Sequence, residues 1–87
     1  MSQNEKLLLP LMNAKNDKNF NFSELRKAME ITGGKCRIRG DHFIYSFSGI
    51  RQAINLQPLP NGKAKPYQVR QVREFIIENE LGGAFLA

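Results

Sequence analysis

Only one residue in the chain belongs to a type that changes charge near neutral pH: His42, the sole histidine among 87 residues. An imidazole can take up and release a proton within one turnover, which makes it the natural candidate for general acid–base chemistry. Arg37 and Arg39 lie just before it, and Gly40 and Asp41 lead directly into it. Cations beside a proton carrier suit phosphodiester cleavage, where a base activates the nucleophile and positive charge balances the developing phosphorane. In RNA the 2′-hydroxyl is itself the nucleophile, so that chemistry requires neither a metal nor a covalent protein intermediate. Other chemistries find less support. Cys36 and His42 fall on opposite faces of alternating strands, which separates a thiol from its base. The sequence has no cluster of His, Cys and carboxylates at metal-ligand spacing. Gly33-Gly34 and Gly82-Gly83 read as helix stops, not as a phosphate-cradling loop, and Glu78 with Glu80 reads as a solvated helix end. No cofactor is implied.

The charge around His42 is concentrated. Thirteen Lys and Arg against eight Asp and Glu leave the chain at +5. Between Lys35 and Arg73 stand eight cations (Lys35, Arg37, Arg39, Arg51, Lys63, Lys65, Arg70, Arg73) and one acid, Asp41, a net +7; the remainder sums to −2. Solubility alone favours interspersed signs, so a 39-residue span with one acid points to an anionic partner.

At this length a single domain is the ceiling, and barrels or two-domain enzymes are excluded. One cysteine excludes a disulfide framework and suits a reducing compartment. No stretch approaches the roughly 20 apolar residues that span a bilayer. The apolar run Leu7 to Leu11 is short for a signal-peptide core, and the chain reads as cytoplasmic.

The elements that must position these residues are legible in part. Lys6 to Met12 reads as a short helix interrupted by, or beginning near, Pro10, and Asn13 to Asn19 as a polar loop; together residues 1–19 form a leader to a domain spanning 20–87. Asn21 with Glu24 has capping-box spacing, and Phe20 with Leu25 the spacing of a hydrophobic staple. Phe22, Leu25, Ala28 and Met29 then recur at helical spacing up to Gly33-Gly34. Period-two alternation follows. Cys36 and Ile38 oppose Lys35, Arg37 and Arg39; Phe43, Tyr45 and Phe47 oppose His42, Ile44 and Ser46. Gly40 and Ser48-Gly49 punctuate these as hairpin turns, and a third strand is expected over Ala53 to Leu56. After a Pro- and Gly-rich loop, Pro66 opens a helix reaching about Asn79, with Val69, Val72, Phe75 and Ile76 on one stripe and Tyr67 packed against it. The order helix, three antiparallel strands, helix predicts an α+β fold, α-β-β-β-α, with both helices on one sheet face.

The run Phe22-Ser23-Glu24-Leu25, then Arg37 to Tyr45, then Ile54-Asn55-Leu56-Gln57 and Gly62 to Val72, resembles the HicA family of small bacterial toxins over roughly Phe20 to Leu81. The resemblance implies a double-stranded-RNA-binding-domain-like fold and metal-independent cleavage of mRNA within a type II toxin–antitoxin module. It makes His42, after Gly40-Asp41, the match to the family's catalytic histidine. Asp41 stands where Ser is usual in the family, and Phe43 where a second histidine is frequent. The implied protein partner is a HicB-type antitoxin whose acidic surface masks the site. Lys63 and Lys65, just before the positive end of the last helix, are candidate phosphate ligands, and Arg37, Arg39, Arg70 and Arg73 extend the RNA footprint. Gly40 and Asp41 support His42. Two other readings keep the same basic surface. One is a non-catalytic RNA- or DNA-binding module; the other is an adaptor that docks an acidic protein.

Overall fold

A computed structural model of the chain describes residues 3–82. It is an α+β fold in which a three-stranded antiparallel meander, ordered β1-β2-β3, is flanked by helices. The elements are α1 (Gln3–Met12), a 3₁₀ turn (Asp17–Asn19), α2 (Phe22–Ile31), β1 (Lys35–Arg39), β2 (His42–Phe47), β3 (Ile50–Leu56) and α3 (Pro66–Glu78). The expected helix, three strands, helix therefore appears in order, preceded by α1.

The core forms where the apolar stripes of the helices meet the inward residues of the sheet. Phe22, Leu25, Ala28 and Met29 of α2 are buried together with Val69, Val72, Phe75 and Ile76 of α3. From the sheet, Tyr45 and Phe47 of β2 and Ile54 and Leu56 of β3 complete the cluster. Aromatic edges join the layers: Phe22 meets Phe43 with centroids 5.2 Å apart, and Phe47 meets Phe75 at 5.0 Å. At Gly34 the chain passes so close to Met29 and Phe47 that an added Cβ would lie 2.8 Å from the Phe47 ring, which only glycine avoids. Leu8 and Leu11 of α1 are also core residues, so a third helix packs on α2 and α3.

Several expectations are corrected. Helix α1 begins at Gln3 and runs through Pro10 instead of being interrupted by it. The Asn21–Glu24 capping box does not form. The Asn21 side chain makes no cap hydrogen bond; its Oδ1 accepts from Lys63 Nζ (2.8 Å) and its Nδ2 donates to Glu24 Oε1 (3.3 Å). The reason is a competing partner: the loop before α3 is zipped to the start of α2, with Phe22 N donating to Gly62 O and Ala64 N to Phe20 O. β1 and β3 are both edge strands, but only β3 is covered: its Ile54 and Leu56 are buried, whereas Cys36 and Ile38, on the helix-side face of β1, stay exposed. Strand β3 starts three residues earlier than expected, at Ile50. Tyr67 does not pack: it is 64% exposed. Helix α3 runs Pro66–Glu78 with Asn79 as its C-cap, within one residue of the expected span; of the Gly82-Gly83 pair read as its stop, Gly83 lies outside the described residues.

Candidate functional site

Alternation delivers His42 to the sheet face away from the helices. Its neighbours in β2, Phe43 and Tyr45, point toward the core, so His42, Ile44 and Ser46 point away from it. Register places Arg39 of β1 directly across from His42, and Arg37 across from Ile44. On the other side Asn55 of β3 lies across from Ile44, diagonal to His42 on the same face. Both arginines are exposed, and their side chains make no ion pair or hydrogen bond among the described residues. The turn joining β1 and β2 is two residues long, with Gly40 at φ +62°, the sign that a II′ hairpin asks of its first position. That tight turn holds Asp41 immediately beside the imidazole.

The imidazole is anchored at one nitrogen. His42 Nδ1 lies 3.1 Å from Asn55 Oδ1. With the Asn55 amide in this orientation its oxygen faces the ring and can only accept, so the neutral ring that makes this hydrogen bond carries its proton on Nδ1 and keeps a lone pair on Nε2 that could act as a base. Nε2 lies 3.7 Å from Asp41 Oδ1, and the His42 side chain is 46% exposed. Asp41 is held in turn: its Oδ2 accepts from Gln57 Nε2 at 2.7 Å, and Gln57 Oε1 accepts from Lys65 Nζ at 2.8 Å. The hydrogen bond from Gln57 holds the Asp41 carboxyl below its usual range, with smaller help from His42 and Lys65. Asp41 therefore stays anionic near neutral pH and can stabilise an imidazolium once Nε2 takes a proton.

This chain of contacts ties His42 to the N-terminal end of α3, where Lys65 is the residue before Pro66. The start of α2 meets the same end through the Asn21–Lys63 contact. One end of the molecule thus gathers His42, Asp41, Lys65 and Lys63, with Arg39 beside the imidazole in the sheet.

The remaining candidates are placed elsewhere. Arg70 is exposed on α3, paired with Glu74 one turn on at 3.1 Å. Arg73 faces the opposite way, into the seam with α1 and the 3₁₀ turn. Its two terminal nitrogens make a bidentate pair with Asp17 at 2.9 and 2.8 Å, and Nη1 also donates to Leu11 O at 3.1 Å. Its side chain is 13% exposed, and the pairing with Asp17 further favours its charged form. Asn55, Gln57 and Gln68 were not singled out from the sequence. Alternation turns Asn55 outward on β3, but only the β2–β3 register brings it to His42, and Gln57 and Gln68 carry no signal of their own.

Among the described residues, no three His, Cys, Asp or Glu side chains come together in a way that could hold a metal ion. None of the described helices is long and apolar enough to cross a membrane. No family model matches the chain, and neither do curated proteins or solved structures.

Proposed function

We propose that this chain is a metal-independent endoribonuclease of the HicA kind, with a double-stranded-RNA-binding-domain-like arrangement formed by α2, the sheet and α3. The observation that carries the reading is the anchored imidazole: Nδ1 is tied to Asn55, and Nε2 is left as the basic nitrogen on a cationic, exposed sheet face. In the proposed step the RNA 2′-oxygen attacks the adjacent phosphorus while His42 Nε2 accepts the 2′-hydroxyl proton. The P–O5′ bond breaks, and the departing 5′-oxygen takes a proton from solvent. The products are a 2′,3′-cyclic phosphate and a 5′-hydroxyl. Asp41 stabilises the imidazolium, and Arg39, Arg37, Lys65 and Lys63 bind phosphates. Arg70 extends this footprint along α3. Arg73 is left out of it because Asp17 already occupies its guanidinium.

This reading entails action on cytoplasmic mRNA and restraint by an acidic antitoxin of the HicB type that covers the same basic face. The experiment is incubation of purified protein with RNA in chelator, beside His42→Ala, with binding measured in parallel. The expected result is cleavage by the wild type and a loss of about 10²- to 10⁴-fold in the variant, with RNA binding retained. Cleavage unchanged in His42→Ala overturns the assignment. Binding without cleavage by either protein supports the non-catalytic module instead.

A further inference from the structure

Gln68 is polar but buried on the apolar stripe of α3, with only 6% of its surface exposed. Its amide is used at both ends. Oε1 accepts from the backbone N–H of Gln57 at 3.1 Å, and Nε2 donates to the backbone carbonyl of Asn55 at 3.4 Å. These two residues of the β3 end are the ones whose side chains reach the site: Asn55 to His42 Nδ1, and Gln57 to Asp41. A buried amide satisfied at both ends fixes whatever it joins, because breaking either bond leaves a polar group without a partner. Leucine would fit the stripe with less desolvation, so the amide at this position calls for an explanation other than packing.

We infer that Gln68 is a positioning residue for the imidazole. By gripping the main chain of Asn55 and Gln57 from the helix side, it holds Asn55 Oδ1 against Nδ1 and so keeps His42 in the tautomer whose Nε2 is basic. Asn55 is the direct orienter, and Gln68 acts through it. The inference rests on the reading of His42 as the base for its catalytic consequence, but not for its geometric one.

The two are tested separately. The chain has a single histidine, so ring-nitrogen NMR of the neutral imidazole reports His42 alone, without RNA. Wild-type protein is expected to show mainly the Nδ1–H form, the one free histidine disfavours in water. Asn55→Ala, a surface change, should return the ring to mainly Nε2–H. Gln68→Leu should shift the ratio the same way by a smaller amount, and Gln68→Glu, which keeps the acceptor for the Gln57 amide, should fall between Gln68→Leu and wild type. In RNA cleavage the same order is expected in kcat, with Asn55→Ala lower by about 10- to 100-fold, the size typical of groups that orient a functional imidazole, and KM unchanged. A wild-type ring in the Nε2–H form, or a ratio identical in wild type and Gln68→Leu, overturns the inference. If the tautomer moves as expected while wild-type protein leaves RNA intact, the positioning stands and the nuclease reading fails.

Discussion

Arg39 and Arg73 are the same residue type, both counted in one basic span, yet they occupy opposite situations. Arg39 ends an edge strand beside His42, exposed, with its side chain unpaired among the described residues. Arg73 lies across α3, its guanidinium filled by Asp17 and the Leu11 carbonyl and mostly withdrawn from solvent. The difference is set by what each element packs against. Among the described residues no element covers the outer sheet face, and Arg37 and Arg39 there are exposed to water. The far side of α3 is covered by α1 and the 3₁₀ turn, so a cation there must find a fixed partner to offset its desolvation. The +7 span therefore holds two kinds of cation: exposed ones such as Arg39, to which the proposed function gives the phosphates, and Arg73, which is tied into the fold.

That division can be broken from either side. The largest stability effect should come from the covered region. Leu11→Ala removes a fully buried side chain that joins α1 to the core, and should cost about 2–5 kcal/mol in denaturant unfolding. Arg73→Ala should cost about 2 kcal/mol, because it leaves Asp17 and the Leu11 carbonyl unpaired. Its RNA affinity, measured at matched folded fraction, should keep the wild-type salt dependence. Arg39→Ala should do the reverse: stability within about 0.5 kcal/mol of wild type, and a salt slope of RNA binding smaller by about 1. If Arg73→Ala lowered the slope and Arg39→Ala did not, the two roles would be exchanged.

A smaller effect is expected at high pH. Tyr45 is fully buried, and its hydroxyl donates to Glu30 and accepts from Arg26, whose guanidinium also lies 4.4 Å from the centre of the Phe43 ring. Burial pushes the Tyr45 phenol well above its usual range, with Arg26 opposing. The native state therefore holds this proton more tightly than the unfolded chain. Its contribution is intact below the ordinary phenol value of about 10 and is lost as pH rises beyond it. Thermal unfolding at increasing alkaline pH should show a steeper decline for wild type than for Tyr45→Phe, which has no phenol to ionise.

The sequence carried the elements well where one period dominated. The inward residues Tyr45, Phe47, Ile54 and Leu56, and the stripes of α2 and α3, were all readable from spacing alone. Reading failed where an outcome depends on a second element. Alternation puts Cys36 and Ile38 on one face of β1, but nothing local says that this edge, unlike β3, stays uncovered by the helices. The Asn21–Glu24 spacing was sound, but Lys63, distant in sequence, competes for Asn21. At the site, alternation exposed His42 and put Arg37 and Arg39 on its face. The partners that anchor the ring were out of reach, because Asn55, Gln57 and Gln68 matter only through the β2–β3 register and the seating of α3.

The central claim is that His42, with Nε2 as base, cleaves RNA through its own 2′-hydroxyl. The most direct measurement incubates the full chain in chelator with an RNA oligonucleotide, the same sequence carrying 2′-O-methyl groups throughout, and both again with His42→Ala, and then identifies the ends produced. The account predicts cyclic-phosphate and 5′-hydroxyl ends from unmodified RNA with wild type alone, and no cleavage of the methylated strand. Cleavage of the methylated strand, or equal cleavage by His42→Ala, would contradict it.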